Sequence, residues 1–233
     1  MNAKKFFFYL LAVLLGGCFP VVSLHPLFTE KDVVFDEKLL GTWVQEGSMG
    51  TIRKFLGREE PKEPTGTIWE FTRADANENA YRLIYSDKEE GRKGSFIAHL
   101  VKLKDKLFLD AFPDDSLPYE PRDPNEKGWA YNSLFLLPTH TFIKVDAIGP
   151  QLILRLTDDE KFKKLLGEDP NAVIKHTLLD DKPILTASTE ELQAFVLKYA
   201  SDPRVFMDAM VLSRKKTADP NVPDGLKPHK TQK

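Results

Sequence analysis

Alternating apolar and polar residues along much of the chain predict a series of β-strands. Thr67, Trp69 and Phe71 would share one face of such a strand. Glu70 and Thr72 would share the other. A period of two residues is typical of strands with one buried face. Related patterns predict strands at 67–72, 79–86, 95–103, 106–112, 143–146, 151–156 and 205–213.

The shortest connections between these strands indicate that neighbours are antiparallel. Lys104-Asp105 and Gly149-Pro150 are two-residue breaks of hairpin length. A parallel crossover would need a dozen or more residues. The fold class predicted is therefore mainly β, with the strands in an antiparallel barrel or a strongly curved sheet.

Two accessory α-helices are predicted late in the chain. Residues 158–166 begin with an acidic first turn and stop at Gly167. Residues 189–200 follow Ser188, which forms a capping box with Glu191. We interpret the apolar face of the second helix as core rather than as a cofactor site.

The N-terminus predicts a signal peptide. Lys4 and Lys5 precede an uninterrupted apolar run over 6–15. Ten helical residues would span about 15 Å, which is half of a hydrocarbon core of about 30 Å. The run is thus too short for a permanent transmembrane helix and has the length of a signal-peptide core.

The run ends in Leu15-Gly16-Gly17-Cys18, which resembles the lipobox of bacterial lipoproteins. The resemblance implies cleavage after Gly17, a diacylglyceryl group on the thiol of Cys18, and an N-acyl group such as palmitate on its amine. The expected location is the cell envelope, held to a membrane by these lipids. Phe19 stands where an Asp would favour the inner membrane of enterobacteria, so the outer membrane is favoured.

We predict four regions along the chain. Residues 1–17 form the signal peptide, and residues 18–37 form the lipidated N-terminus and an extended tether. Residues 38–214 form a single β-rich domain. Residues 215–233, rich in proline and charge, form a disordered tail.

Gly41-Thr42-Trp43 at the start of the predicted domain is similar to the Gly-x-Trp opening of lipocalin-like barrels. The resemblance implies that Trp43 closes the barrel floor and that Arg214, after the last strand, stacks on it. The mature domain as a whole resembles uncharacterised lipocalin-like envelope lipoproteins. The alternative is that Trp43 is an ordinary core aromatic residue.

Composition and motifs argue against several other functions. Lys and Arg number 33 against 35 Asp and Glu, and loss of Lys4 and Lys5 leaves 31 against 35, so no nucleic-acid surface is expected. The single cysteine excludes an internal disulfide. No common nucleophile or phosphate-binding motif occurs, and no two of the five histidines have metal-ligand spacing. We expect no metal, no cofactor beyond the covalent acyl groups, and no catalytic residue.

Residues 113–133 stand out as a long, proline-rich connection. Tyr119, Trp129 and Tyr131 within it would form a binding rim if exposed, or a flap over the sheet if packed. The leading hypothesis is non-catalytic binding of an apolar or amphipathic small molecule in an enclosed cavity. The alternative is a protein-interaction or structural envelope lipoprotein with a filled core. An enzyme would need His99 and His140 to converge with a carboxylate in a cleft.

Overall fold

The computed structural model describes residues 20–46, 66–75, 79–88, 91–114 and 137–215, and strands dominate these ranges. The two α-helices are α1 (Asp159–Glu168) and α2 (Thr189–Lys198), and short 3-10 turns lie at Glu30–Asp32 and Glu37–Leu39. The strands are β1 (Val22–Ser23), β2 (Val33–Val34), β3 (Gly41–Glu46), β4 (Gly66–Arg73), β5 (Tyr81–Asp87), β6 (Arg92–Leu103), β7 (Lys106–Pro113), β8 (His140–Ile148), β9 (Gln151–Arg155), β10 (His176–Leu179), β11 (Lys182–Leu185) and β12 (Met210–Arg214).

Eight of these strands close into an antiparallel barrel. Strands β3 to β8 pair in sequence order, β9 pairs with β8, and β12 lies between β9 and β3. Across the closing seam Arg214 is opposite Trp43, and Leu212 is opposite Leu152. Closure removes the two edges that an open sheet would expose. The prediction of a mainly β, lipocalin-like barrel with two late helices is confirmed.

The apolar set that alternates along these strands fills the inside of the barrel. Trp43, Phe71 and Leu83 point inward from β3, β4 and β5, and Leu100 and Leu109 do so from β6 and β7. A second core lies outside the barrel wall, where α1 and α2 cover the outward side chains of β6 to β8. The amphipathic helices therefore bury a patch of the barrel wall.

The N-terminal segment belongs to the fold, so the prediction of a tether over 18–37 is wrong for its described part. Strand β1 lies between β8 and β11. Val21 and Leu27 are fully buried in the outer core. Strand β2 then pairs with β6. These contacts escaped sequence reasoning because a two-residue strand shows no periodicity.

Two further boundaries differ from the prediction, and one hairpin was not predicted. The last strand is Met210–Arg214 rather than 205–213, because Phe206 forms only an isolated bridge to Thr157. Helix α1 runs through Gly167 to Glu168. The β10–β11 hairpin was not predicted, because its first strand has no buried face. Residues 216–233 of the predicted tail lie outside the described residues.

Candidate functional site

One end of the barrel is closed by Trp43 and Arg214. The Trp43 indole is fully buried, and its Nε1 donates a hydrogen bond to the Leu39 carbonyl at 2.9 Å. The Cζ atom of Arg214 lies 4.2 Å from the centroid of the Trp43 ring. The guanidinium also donates to the carbonyls of Leu40 and Lys38. Arg214 therefore stacks on Trp43 and ties the last strand to the turn that enters the first barrel strand.

Gly41 makes this contact sterically possible. Its φ of +112° lies in a region that residues with a side chain rarely adopt. A Cβ atom at this position would lie 2.8 Å from Nη1 of Arg214. Gly41 therefore leaves room for the Arg214 guanidinium, and the guanidinium in turn stacks on Trp43.

At the same end of the barrel, Tyr81 contacts the segment that leads into the first barrel strand. Its ring stacks on Phe35 with centroids 4.5 Å apart. The Tyr81 hydroxyl accepts a hydrogen bond from the Asp36 amide and donates one to the Asp36 carbonyl. Burial raises the pKa of Tyr81 to about 12. The neutral phenol is therefore the form that holds residues 35–36 against the barrel.

The interior above this closed end is filled by side chains. The buried residues of the barrel core, from Trp43 and Phe71 to Leu154 and Leu212, are at most 5% exposed, whereas Tyr85 and Phe96, which pack against them, are partly exposed. A side chain lining a water-sized cavity would retain accessible surface, so little free volume adjoins these residues. Among the described residues, the buried side chains of the barrel therefore pack closely against one another.

The opposite end carries a cluster of aromatic and polar side chains that we call the mouth: Gln45, Thr67, Trp69, Tyr85 and Phe96. The Trp69 and Tyr85 rings meet edge to face with centroids 5.1 Å apart. Trp69 Nε1 donates to Thr67 Oγ1 at 3.3 Å, and Thr67 Oγ1 donates to Gln45 Oε1 at 3.2 Å. Tyr85 and Phe96 are only half-buried. The mouth therefore offers apolar surface beside fixed hydrogen-bonding groups.

The long connections of the barrel leave from the mouth end. The β3–β4 connection begins after Glu46, and the β7–β8 connection begins after Pro113. Tyr119, Trp129 and Tyr131, the predicted binding rim, belong to the second connection but lie outside the described residues. Gly17 and Cys18 lie outside them as well.

A buried carboxylate on the outer wall is the functional group that sequence reasoning missed. Asp110 is fully buried, and its Oδ1 lies 2.6 Å from Nδ1 of His140. Its Oδ2 accepts the backbone N–H of Leu27 at 2.6 Å. His99 is opposite Asp110 in the β6–β7 register, and its ring lies 4.3 Å from that of Phe28. The signal was present, because Asp110 interrupts an otherwise apolar run over 107–112.

This arrangement holds the N-terminal segment in place. Ser23 is opposite His140 in the β1–β8 register and is fully buried, and its Oγ accepts the His25 amide at 3.2 Å. A nucleophile would need access to substrate, whereas Ser23 and Asp110 are covered by their own chain. The structure thus brings a carboxylate to the two histidines, but beneath the N-terminal segment rather than in a cleft. Its evident role is to satisfy buried polar groups.

A charged groove of about 550 Å³ lies between α1 and the β10–β11 turn. Its walls are formed by Asp159, Glu160, Lys163, Lys164, Asp180, Asp181 and Lys182. Ligand pockets are usually apolar with a few polar groups, and this groove is instead open and of mixed charge. The groove is best described as a solvated junction between helix and hairpin.

The described ranges contain no cluster of three or more His, Cys, Asp or Glu side chains able to hold a metal ion. They also contain no helix both long and apolar enough to cross a membrane.

Comparison with known proteins returns no matching family model, no matching curated protein and no matching solved structure.

Proposed function

We propose that this protein is a non-catalytic lipoprotein of the cell envelope, anchored through Cys18 to the outer membrane, whose barrel is a rigid scaffold for binding another envelope protein. The observation that carries the choice of a scaffold is the filled interior, since the barrel core residues are at most 5% exposed. An enclosed apolar ligand would need a cavity of a few hundred Å³ lined by just such residues. The lipobox resemblance supports the anchor.

The mouth is the surface that we assign to the partner. The half-buried rings of Tyr85 and Phe96 lie beside the hydrogen-bonded Thr67, and this combination of apolar area and polar groups is enriched at protein interfaces. The rings are held by the Trp69–Tyr85 edge contact and by the strands beneath them. Rigid aromatic residues lose little conformational entropy when a partner docks.

A small apolar or amphipathic molecule is the second candidate, and the half-buried rings of Tyr85 and Phe96 favour it. Such a molecule would insert one end into the mouth, because the packed core lies directly below. The described pair His140 and Asp110 offers no open catalytic site, because the N-terminal segment covers the carboxylate.

Photocrosslinking in intact cells tests the mouth. A benzophenone amino acid replaces Tyr85 in one variant and Glu70, on the outside of the neighbouring strand, in the control. We expect a discrete protein adduct from position 85 and none from position 70. Equal adducts from both positions, or none from either, would contradict a partner at the mouth.

A dye-binding assay on two further variants separates the two candidates. A saturable increase in fluorescence of anilinonaphthalene sulfonate with the purified protein, lost in Phe96→Asp but kept in Glu70→Lys, would favour the small molecule. An adduct at position 85 without such dye binding would favour the protein partner.

A further inference from the structure

We propose that the tip of the β10–β11 hairpin contacts the phospholipid bilayer to which the chain is anchored, so that the domain has a fixed membrane-facing side. This inference rests on the lipid anchor proposed above and adds the surface that meets the lipid. Packing within the domain does not account for the exposed residues of β10.

Strand β10 exposes apolar surface that a domain in water would normally bury. All four of its residues are exposed, with Leu178 at 52% and Leu179 at 61%. Val173, shortly before the strand, is 82% exposed. Among the described strands β10 pairs only with β11, so these leucines stand at the edge of the sheet. Adjacent exposed leucines on an edge strand favour association with another surface.

The strand order places this edge near the first described residues of the chain, which follow Cys18. Val22 of β1 is opposite Ile184 of β11 in a parallel pair, and Leu179 is opposite Lys182. Pro20 and Lys182 each lie two residues beyond the Val22–Ile184 pair, in the same direction along their strands. Strand β10 is two strand spacings, about 10 Å, from β1. Cys18 is two residues before Pro20, at most about 7 Å along the chain. Lipid on Cys18 therefore enters the bilayer close to the hairpin tip.

The shape of the tip suits a fluid interface better than a protein partner. Leu178 shares a face with Pro183, which is buried, whereas Leu179 shares the opposite face with Lys182, which is exposed. The two leucines therefore point to opposite sides of the hairpin. A single flat partner surface would cover one of them, whereas the headgroup region of a bilayer can surround both.

The charges near the tip do not form a basic patch. Lys163 of α1 pairs with Asp181 in the hairpin turn, and Asp180 and Lys182 are exposed beside it. Charges of both signs give little net attraction to anionic lipid. The contact therefore depends on the leucines and on the nearby anchor, and it should form on zwitterionic membranes as well as on anionic ones.

Fluorescence of the mature lipidated protein in phosphatidylcholine vesicles tests the contact. Cys18 is the only cysteine, and its thiol carries the lipid, so a maleimide dye reacts only with an introduced thiol. Leu179→Cys carries an environment-sensitive dye at the tip. Thr72→Cys carries it at an exposed position of β4, which is four strands from β8 in either direction around the barrel.

We expect the dye at position 179 to shift its emission to shorter wavelength and to lose intensity when the lipid is brominated near the headgroup. The dye at position 72 should show neither change. Adding phosphatidylglycerol should leave both results unchanged, and a requirement for it would contradict the apolar contact.

Flotation of the same samples distinguishes failure of the hairpin contact from failure of the lipid anchor. If the protein floats with the vesicles but the two dyes respond equally, the hairpin contact is wrong and the anchor stands. If the wild-type protein does not float, the anchor is wrong and the hairpin contact fails with it. Near-identical far-UV CD spectra of both labelled variants show that each has folded.

Discussion

Gly41, Trp43 and Arg214 show how far a three-residue motif constrains a barrel. The resemblance to lipocalin-like barrels implied the stacking of Arg214 on Trp43, and the 4.2 Å separation confirms that contact. The reason for the glycine is a physical detail that the motif alone does not show. Its missing Cβ leaves room for Nη1 of Arg214.

Replacing Trp43 or Arg214 by alanine should lower the free energy of unfolding, and the two losses should differ in size. Trp43→Ala removes a fully buried indole and should lower the free energy of unfolding by about 3–5 kcal/mol. Arg214→Ala removes the cation–π contact with Trp43, and the stabilisation from such a contact is typically roughly 0.5–2 kcal/mol. Because each change removes the shared contact, the double variant should lose less than the sum. Urea unfolding of the four proteins measures this, and additive losses would contradict energetic coupling.

Asp110 marks the limit of single-residue reasoning. An aspartate within an apolar strand indicates a buried polar contact. The partners of Asp110, however, come from β8 and from the N-terminal segment. Leu27 is 83 residues away along the chain. Pairings at this separation depend on which strands become neighbours, and side-chain periodicity does not encode that order.

The length and the burial of each element explain which elements could be predicted from the sequence. Strands β4 to β9 and both helices have enough residues to show a period of two or of 3.6, and their approximate positions were predicted correctly. Strands β1 and β2 have two residues each, and β10 has no buried face. Such short strands are stabilised by backbone pairing and by their neighbours, so local sequence gives little sign of them.

The N-terminal segment should therefore be required for stability. We compare an unlipidated chain that begins at residue 20 with one that begins at residue 30. The shorter chain lacks β1 and the Leu27 side chain, and it leaves Asp110 without its backbone donor. Loss of a buried leucine alone typically lowers the free energy of unfolding by about 2–5 kcal/mol.

Thermal unfolding followed by far-UV CD checks this expectation. The chain from residue 20 should show a β-type spectrum and a cooperative transition, and the shorter chain should unfold at lower temperature or lack a transition. Leu27→Ala in the longer chain is the matched control and should fall between them. Equal transition temperatures for the two chains would show that residues 20–29 are a tether after all.

Two features of the closed barrel connect its architecture to a place at a membrane. Its interior is occupied by its own side chains, so binding is left to the mouth and to outer surfaces. Strand β1, outside the barrel, is paired on both sides by β8 and β11, so the point at which the chain enters the domain is fixed. An anchor on Cys18, four residues before β1, would therefore orient the whole barrel.

That orientation depends on lipid at Cys18, which is the most direct prediction to check. Cells are grown with radiolabelled palmitate, and the protein is recovered by an affinity tag at its C-terminus. The wild-type chain should carry label and migrate as the processed form. Cys18→Ser should carry none and accumulate as the precursor, because lipoprotein signal peptidase acts on the lipid-modified chain. Gly17→Ala is the control, since another small residue before the cleavage site should preserve both labelling and processing. Label on Cys18→Ser, or an unlabelled wild-type chain, would overturn the lipobox interpretation.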